Sequence, residues 1–358
     1  MTNPLRVWNR FWFAPTSARP LGAFRILFGL IVLANLGLMA PEMDTWLTDA
    51  GYLRGPEARE IAGPFWSNDT NRPMRWSPLQ TYQDPATVHR VFAATAVVAL
   101  VFTLGWHTRV MSVLLYGLML SIYHRNILTL SGADALLMIV CFTMMLCPCG
   151  AAYSLDARRK ARKIGVPYEP LIIPWAQRLI AIQVTVVYFM TALLKAQGKS
   201  WADGTALYWI LHNEEARRFT LGLTAYPAVL NALTFGTVVV EFALAFLLWV
   251  RAARPWMIAV GVLLHLGIML TVNIPIFGEL MLSCYLAYLT PSEFQAIARV
   301  LDPRRWLRSS PTTAPPVRPG RVDPGHEPIP RPKISALDEI PANSATQSVP
   351  TEDIARSI

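Results

Sequence analysis

Charge is what this sequence has least of. Only 15% of its 358 residues are Asp, Glu, Lys or Arg, where a soluble domain carries about 25%. Cysteine is nearly as scarce: Cys141, Cys147, Cys149 and Cys284, each in or beside an apolar run. That excludes a secreted disulfide framework. Cys147-Pro148-Cys149 has one residue between its thiols, unlike a CxxC redox pair, and no histidine stands near it in sequence to complete a zinc site. All four are expected to be buried as small apolar side chains. The sequence also lacks a metal-ligand set, a haem attachment motif and a glycine-rich phosphate loop.

What is present is apolar. Hydrophobic residues make up 53% of the chain, and the mean hydropathy is +0.35. A soluble protein of this length could not bury that much apolar surface, so the composition excludes a soluble enzyme, a disordered chain and a fibrous repeat. Runs at 21–40, 87–105, 110–125, 133–150, 174–195, 228–250, 255–273 and 276–290 approach or exceed the length of a membrane-spanning helix. The expected fold is all-α: a polytopic bundle of about eight transmembrane helices. The first run is too long for a signal peptide, and Leu38 is not small enough for the position before a cut at Ala40. It reads as an uncleaved helix, with Arg25 snorkelling to the nearer surface.

The net charge of +9 becomes a set of orientation marks. Arg158, Arg159, Lys160, Arg162 and Lys163 crowd one loop, which should stay cytoplasmic. Arg251 and Arg254 then fall on the same side, as do both termini. The loops 41–86, 126–132 and 196–227 face the other way. No basic stripe carries exposed aromatic platforms, so nucleic acid is not an expected partner; the lipid bilayer is.

Three regions follow. Residues 1–20 mix Arg6, Arg10 and Arg19 with aromatics and read as an interfacial segment. Residues 21–300 form the membrane domain. Residues 301–358, with eleven prolines from 303 onward, read as a disordered cytoplasmic tail. The 41–86 loop, with Trp46, Trp66, Trp76 and six prolines, is long for a passive connector. Within 196–227 the apolar stretch 206–211 is too short to cross. It reads as a re-entrant or interfacial helix started by Asp203 or Thr205.

Ionisable groups inside a membrane are costly, so each needs a reason. Glu241 lies mid-run in Val238-Val239-Val240-Glu241-Phe242 and His265 in Leu263-Leu264-His265-Leu266. Each is either a functional group or a packing residue held by a hydrogen bond, for Glu241 to Gln183 or a hydroxyl. His124, Asn126 and Asp134 sit at the outer ends of the third and fourth runs. Asp134 is equally explained as a favourable charge at a helix N-terminus. Lys195 ends the fifth run, where it either snorkels or, desolvated in a cleft, serves as a base.

Lys195, Trp201 and Asp203-Gly204-Thr205-Ala206-Leu207-Tyr208 together resemble the signature of the horizontally transferred transmembrane domain, the membrane part shared with vitamin K-dependent gamma-carboxylase. Arg25, Asn126 with Gly132-Ala133-Asp134, Tyr153-Ser154-Leu155-Asp156, and the His265 helix followed by Phe277, Met281 and Leu282 are similar to the family pattern. The resemblance covers roughly residues 15–295. It implies an enzyme at the extracytoplasmic face of the cell membrane acting on a quinone or another lipid-soluble substrate, with a reduced quinone as cofactor. Lys195 is the nearest counterpart of the carboxylase base, although the family's second, adjacent lysine is replaced by Ala196. His124 and Asp134 would be its catalytic partners. Asn126, Trp201, Glu241 and His265 would contact substrate. The alternative is a non-catalytic membrane scaffold or a transporter component.

Overall fold

A computed structural model describes residues 3–62, 77–165 and 170–301. The expected tail lies outside the described residues, as do Trp66 and Trp76. The first part of the chain forms α1 (Pro4–Phe13), α2 (Arg19–Met39), α3 (Met43–Leu47), α4 (Gly55–Ala62), α5 (Pro85–Leu104), α6 (Thr108–Arg125), α7 (Gly132–Leu146) and α8 (Leu155–Ile164). Then come α9 (Trp175–Gln197), α10 (Lys199–Ala202), α11 (Ala206–His212), α12 (Pro227–Leu247), α13 (Arg254–Thr271), α14 (Phe277–Cys284) and α15 (Pro291–Val300).

All eight runs read from the sequence are helical. Five stretches among the described residues are both long and apolar enough to cross a membrane: Arg19–Leu47, Pro85–Leu104, Trp175–Gln197, Pro227–Leu247 and Arg254–Thr271. The segments Gly132–Leu146 and Phe277–Ala287 are apolar but shorter. α6 is 18 residues long but carries Arg109 and Arg125 near its two ends. Large apolar side chains on these helices face outward: Val97 is 60% exposed, Val239 67% and Leu263 71%. Such surface is costly in water and suited to lipid. The fold is a multi-helical membrane protein.

The sequence reading contained no strand. The structure pairs Thr16 with Ile172 and Ser17 with Leu171 in a two-residue antiparallel ladder. This joins the segment before α2 to the segment before α9. The basic helix α8 buries no residue, and its five Lys and Arg side chains are exposed, as a solvated charge run should be. The four cysteines are free and buried.

Two buried arginines tie the ends of the first helices together. Arg25 does not snorkel. Its guanidinium is fully buried and donates to the carbonyls of Cys149 (2.9 Å), Ala152 (3.2 Å), Tyr153 (2.7 Å) and Thr103 (3.4 Å). The reason is local. α5 ends at Gly105, which takes the left-handed conformation (φ +78°), and a side chain there would run into Ser154 and Arg25. The turn therefore closes directly over the arginine, whose donors satisfy carbonyls that the helix ends leave open. Arg125, at the opposite end of α6, is likewise buried. It donates to the carbonyls of Thr48 (3.2 Å) and Leu53 (2.7 Å) and to Gln83 Oε1 (3.3 Å). The described part of the long loop is thus folded onto the bundle by α3, α4 and this arginine.

Outside the spans, Asp156 accepts from the His107 N–H, the Thr108 N–H and the Thr108 hydroxyl, each at 2.9 Å. Partial burial pushes its carboxyl up, but these hydrogen bonds outweigh that and leave it below the usual carboxylate range.

Candidate functional site

α9 organises the polar interior. Its buried residues Gln177, Ala181, Val184, Tyr188 and Ala192 recur at three- and four-residue steps, so they share one face. Thr185 and Lys195 flank the same stripe. Lys195 lies seven residues beyond Tyr188, about two turns along that face.

The Lys195 ammonium donates to Glu241 Oε1 on α12. The Glu241 side chain is 7% exposed and the Lys195 side chain 24%. The interfacial snorkelling read for Lys195 is therefore not what the side chain does. Helical side chains lean toward the N-terminus of their own helix, which on α9 points into the bundle. The second carboxylate oxygen, Glu241 Oε2, is buried and has no hydrogen-bond partner. Lys195, rather than Gln183 or a hydroxyl, is what holds Glu241. The Lys195 Nζ also lies 5.1 Å from the centre of the Trp201 ring, within cation–π range. Trp201 is carried there by α10, which follows α9 almost without a break.

Deeper along the stripe, the Tyr188 hydroxyl meets His265 Nε2 at 2.6 Å and the Tyr285 hydroxyl at 2.5 Å. His265 Nδ1 is buried and unpartnered. Gly261, one turn before His265, makes room for this group: a Cβ there would collide with the Tyr285 hydroxyl. Further along, Thr185 Oγ1 accepts from Trp249 Nε1 (2.8 Å) and pairs with the Tyr288 hydroxyl (3.0 Å). Tyr288 in turn donates to the Ala181 carbonyl (2.6 Å). Lys195, Glu241, Trp201 and His265 thus sit along one column on α9, with Tyr188 and Tyr285 between.

The remaining residues named from sequence lie elsewhere. Asp134 closes a capping box at the start of α7: its Oδ2 accepts from the Ser131 N–H and the Ser131 hydroxyl, both at 2.8 Å. It borders two grooves. One, of about 440 Å³, is also lined by Asn35, Tyr123 and Trp46. The other, of about 570 Å³, is also lined by His124. In the first, Asn35 Nδ2 donates to the Tyr123 hydroxyl at 2.7 Å. The His124 carbonyl accepts from Gln80 Nε2 (2.9 Å). Asn126 is buried and committed to backbone: Nδ2 donates to the Trp46 carbonyl (3.1 Å) and Oδ1 accepts from the Leu128 N–H (3.0 Å). Neither groove lining includes Lys195.

The short helix expected at 206–211 is α11. Thr205 occupies its N-cap position without capping it by a side-chain hydrogen bond. Asp203 instead accepts from the Thr205 hydroxyl (2.6 Å) and N–H (3.1 Å). Those bonds hold its carboxyl below the usual range. α11 is anchored to α12 by the Thr234 hydroxyl, which accepts from the Leu207 N–H at 3.3 Å.

Sequence reasoning passed over Tyr188, Tyr285 and the clamping role of Arg25 and Arg125. Tyr188 had a readable signal, its two-turn spacing from Lys195. Tyr285 had none, because it reaches the column from a different helix. Among the described residues no group of three or more His, Cys, Asp or Glu is arranged to hold a metal ion.

The helices and the buried ion pair define a multi-pass membrane protein with charged groups sequestered inside its bundle. The HTTM domain family matches residues 69–292, and the chain belongs to that family. It is 25% identical over 217 residues to the sporulation-delaying protein SdpB of Bacillus subtilis (strain 168), an alignment covering 56% of this chain and 62% of that relative. No solved structure matches.

Proposed function

We propose that the chain is a membrane enzyme that uses the Lys195–Glu241 pair for acid–base chemistry on a lipid-soluble substrate bearing an ionisable hydroxyl, the class that includes reduced quinones. The observation that carries this reading is Glu241 Oε2, a buried carboxylate oxygen with no donor facing it. A buried, unpaired carboxylate oxygen is costly, and a substrate hydroxyl supplies the missing hydrogen bond. Proton transfer then leaves the electron pair of the broken O–H bond on the substrate oxygen, converts Glu241 to the neutral acid, and leaves the Lys195 ammonium to balance the new oxyanion. Trp201, over the ammonium, shields it from water.

The hydroxyls and imidazole of Tyr188, His265 and Tyr285, then those of Thr185 and Tyr288, lie next along α9 and supply groups through which the proton leaves. His124 and Asp134 belong to this reading only as lining of separate grooves, where Asp134, Asn35 and Tyr123 offer polar contacts to a lipid-soluble molecule. We assign eight crossings in the cell membrane, both termini cytoplasmic, with Lys195 nearer the outer face.

The test is turnover and binding of a short-chain reduced quinone by the full chain in proteoliposomes. Lys195→Ala and Glu241→Gln are each expected to lower turnover at least about 100-fold. Unchanged turnover in both removes the pair from the mechanism. Uptake that falls in Glu241→Gln but not in Lys195→Ala favours a transporter component instead. The topology is tested with an impermeant thiol reagent and single cysteines at 160 and 214. Labelling of position 160 from outside the cell refutes the orientation.

A further inference from the structure

A second cavity, of about 760 Å³, lies at the other end of α9 from Lys195, walled by α1, the start of α9, and the segments joining α12 to α13 and preceding α15. Its lining includes Arg10, Arg178, Arg251 and Arg254. Among the described residues only Arg254 has an acid partner, Glu293, at 2.9 Å. The Arg178 guanidinium carbon lies over the Phe11 ring, 4.1 Å from its centre. That contact uses none of its N–H donors, and its buried Nε has no hydrogen-bond partner. Gln177, 6% exposed, spends its amide nitrogen on the Ala287 carbonyl (3.4 Å) and leaves Oε1 buried and unpartnered. The Trp12 indole N–H, beside Phe11, is buried without an acceptor as well.

The cavity therefore has surplus cationic donors and one surplus acceptor. Guanidinium donors without acceptors suit phosphate oxygens. A lone carbonyl acceptor suits a hydroxyl. Next to the cavity, α1 presents Trp8 and Phe13 outward, 60% and 53% exposed, on a helix whose basic residues Arg6 and Arg10 lie among aromatics. That is the pattern of a helix seated at the headgroup level of a bilayer. The Thr16–Ile172 pairing puts this cavity near the chain that follows the basic helix α8. Basic pockets between membrane helices on that side hold lipid headgroups.

We infer that this cavity is a binding site for an anionic phospholipid with a hydroxyl-bearing headgroup, such as phosphatidylglycerol. Its phosphodiester is held by Arg178, Arg10 and Arg251, and a headgroup hydroxyl by Gln177 Oε1. Arg254 is set aside as structural, because it is bound to Glu293 and to the Leu248 carbonyl (2.9 Å).

The experiment is native mass spectrometry of the delipidated full chain, titrated separately with phosphatidylglycerol, phosphatidylcholine, phosphatidic acid and inorganic phosphate. One tightly bound phosphatidylglycerol is expected, with phosphatidylcholine weaker by about tenfold or more. Arg178→Gln should weaken phosphatidylglycerol about tenfold and Arg178→Lys less, because lysine keeps the charge but not the fork of donors. Gln177→Leu should narrow the preference for phosphatidylglycerol over phosphatidic acid, which lacks the hydroxyls. Equal retention of phosphatidylglycerol and phosphatidylcholine, or no loss in Arg178→Gln when the variant elutes as a folded monodisperse species, overturns the site. Occupancy by inorganic phosphate matching that by phosphatidylglycerol overturns the lipid assignment.

Discussion

Lys195 and Glu241, 46 positions apart in sequence, meet across the interface of α9 and α12, with one carboxylate oxygen bound and the other left bare. A charge pair of this kind is held by geometry more than by net energy. The desolvation cost of the two ions offsets much of their attraction, while losing one partner strands the other.

Removing a single partner should therefore destabilise more than removing both. Glu241→Leu and Lys195→Met are each expected to cost about 3 kcal/mol, somewhat less than a fully buried pair because the lysine retains some exposure. The double substitution should recover most of that loss. Thermal unfolding of the four proteins in detergent measures it. A double variant destabilised by the sum of the two single losses would show that the residues act independently.

Arg25 donates to carbonyls on two separate turns, and lysine, with its donors on one nitrogen, cannot span them. Arg25→Lys should leave at least two buried carbonyls unpaired at about 1.5–3 kcal/mol each. The expected readout is a marked fall in melting temperature, together with faster labelling of Cys147 and Cys149, whose loop the arginine holds. Unaltered thiol protection would contradict the clamp.

Arg125→Ala should act locally. The segment around α3 and α4 loses its buried donor to Thr48 and Leu53, at about 1.5–3 kcal/mol per charged hydrogen bond. Limited proteolysis should then cut within residues 43–62 well before any site in α9 or α12. Simultaneous loss of the whole bundle would mean that the arginine supports more than this segment.

Asp156 provides a pH test. Its folded carboxyl sits below the usual range, so its contribution to stability is complete above its unfolded value, about pH 3.9. That contribution declines as the pH falls through the folded value. Asp156→Asn should be less stable than the parent at pH 6, and the difference should shrink as the pH is lowered below about 4. A difference that stays constant down to pH 3 would assign the effect to shape rather than to charge.

The long apolar segments that become helices were readable because lipid-facing and core-facing positions are both apolar, so a membrane helix announces itself by length and composition alone; the short polar helices α3, α4, α8 and α15 carry no such signal and were not read as helices. The basic run of α8 was equally plain. Partners were not readable. Glu241 stood out as an intramembrane acid, but its cation lies on another helix, and nothing in the local pattern distinguishes Lys195 leaning inward from Lys195 snorkelling outward. Arg25 misled for the same reason: an arginine one turn inside a helix resembles an interfacial one until the Gly105 turn and the Cys147-Pro148-Cys149 loop close over it. His124, Asn126 and Asp134 were grouped with Lys195 by loop placement, but the folded chain sets His124 and Asp134 along other grooves and buries Asn126 against backbone.

Composition and hydrophobic run length, properties of each segment taken alone, were enough to determine that this is a helical membrane protein and roughly where its long apolar helices lie. Only the tertiary structure decided which charges neutralise one another, which oxygens and N–H groups are left over, and where the surplus arginines gather. Those are pairwise facts in a medium of low dielectric, set by how helices far apart in sequence lean on one another.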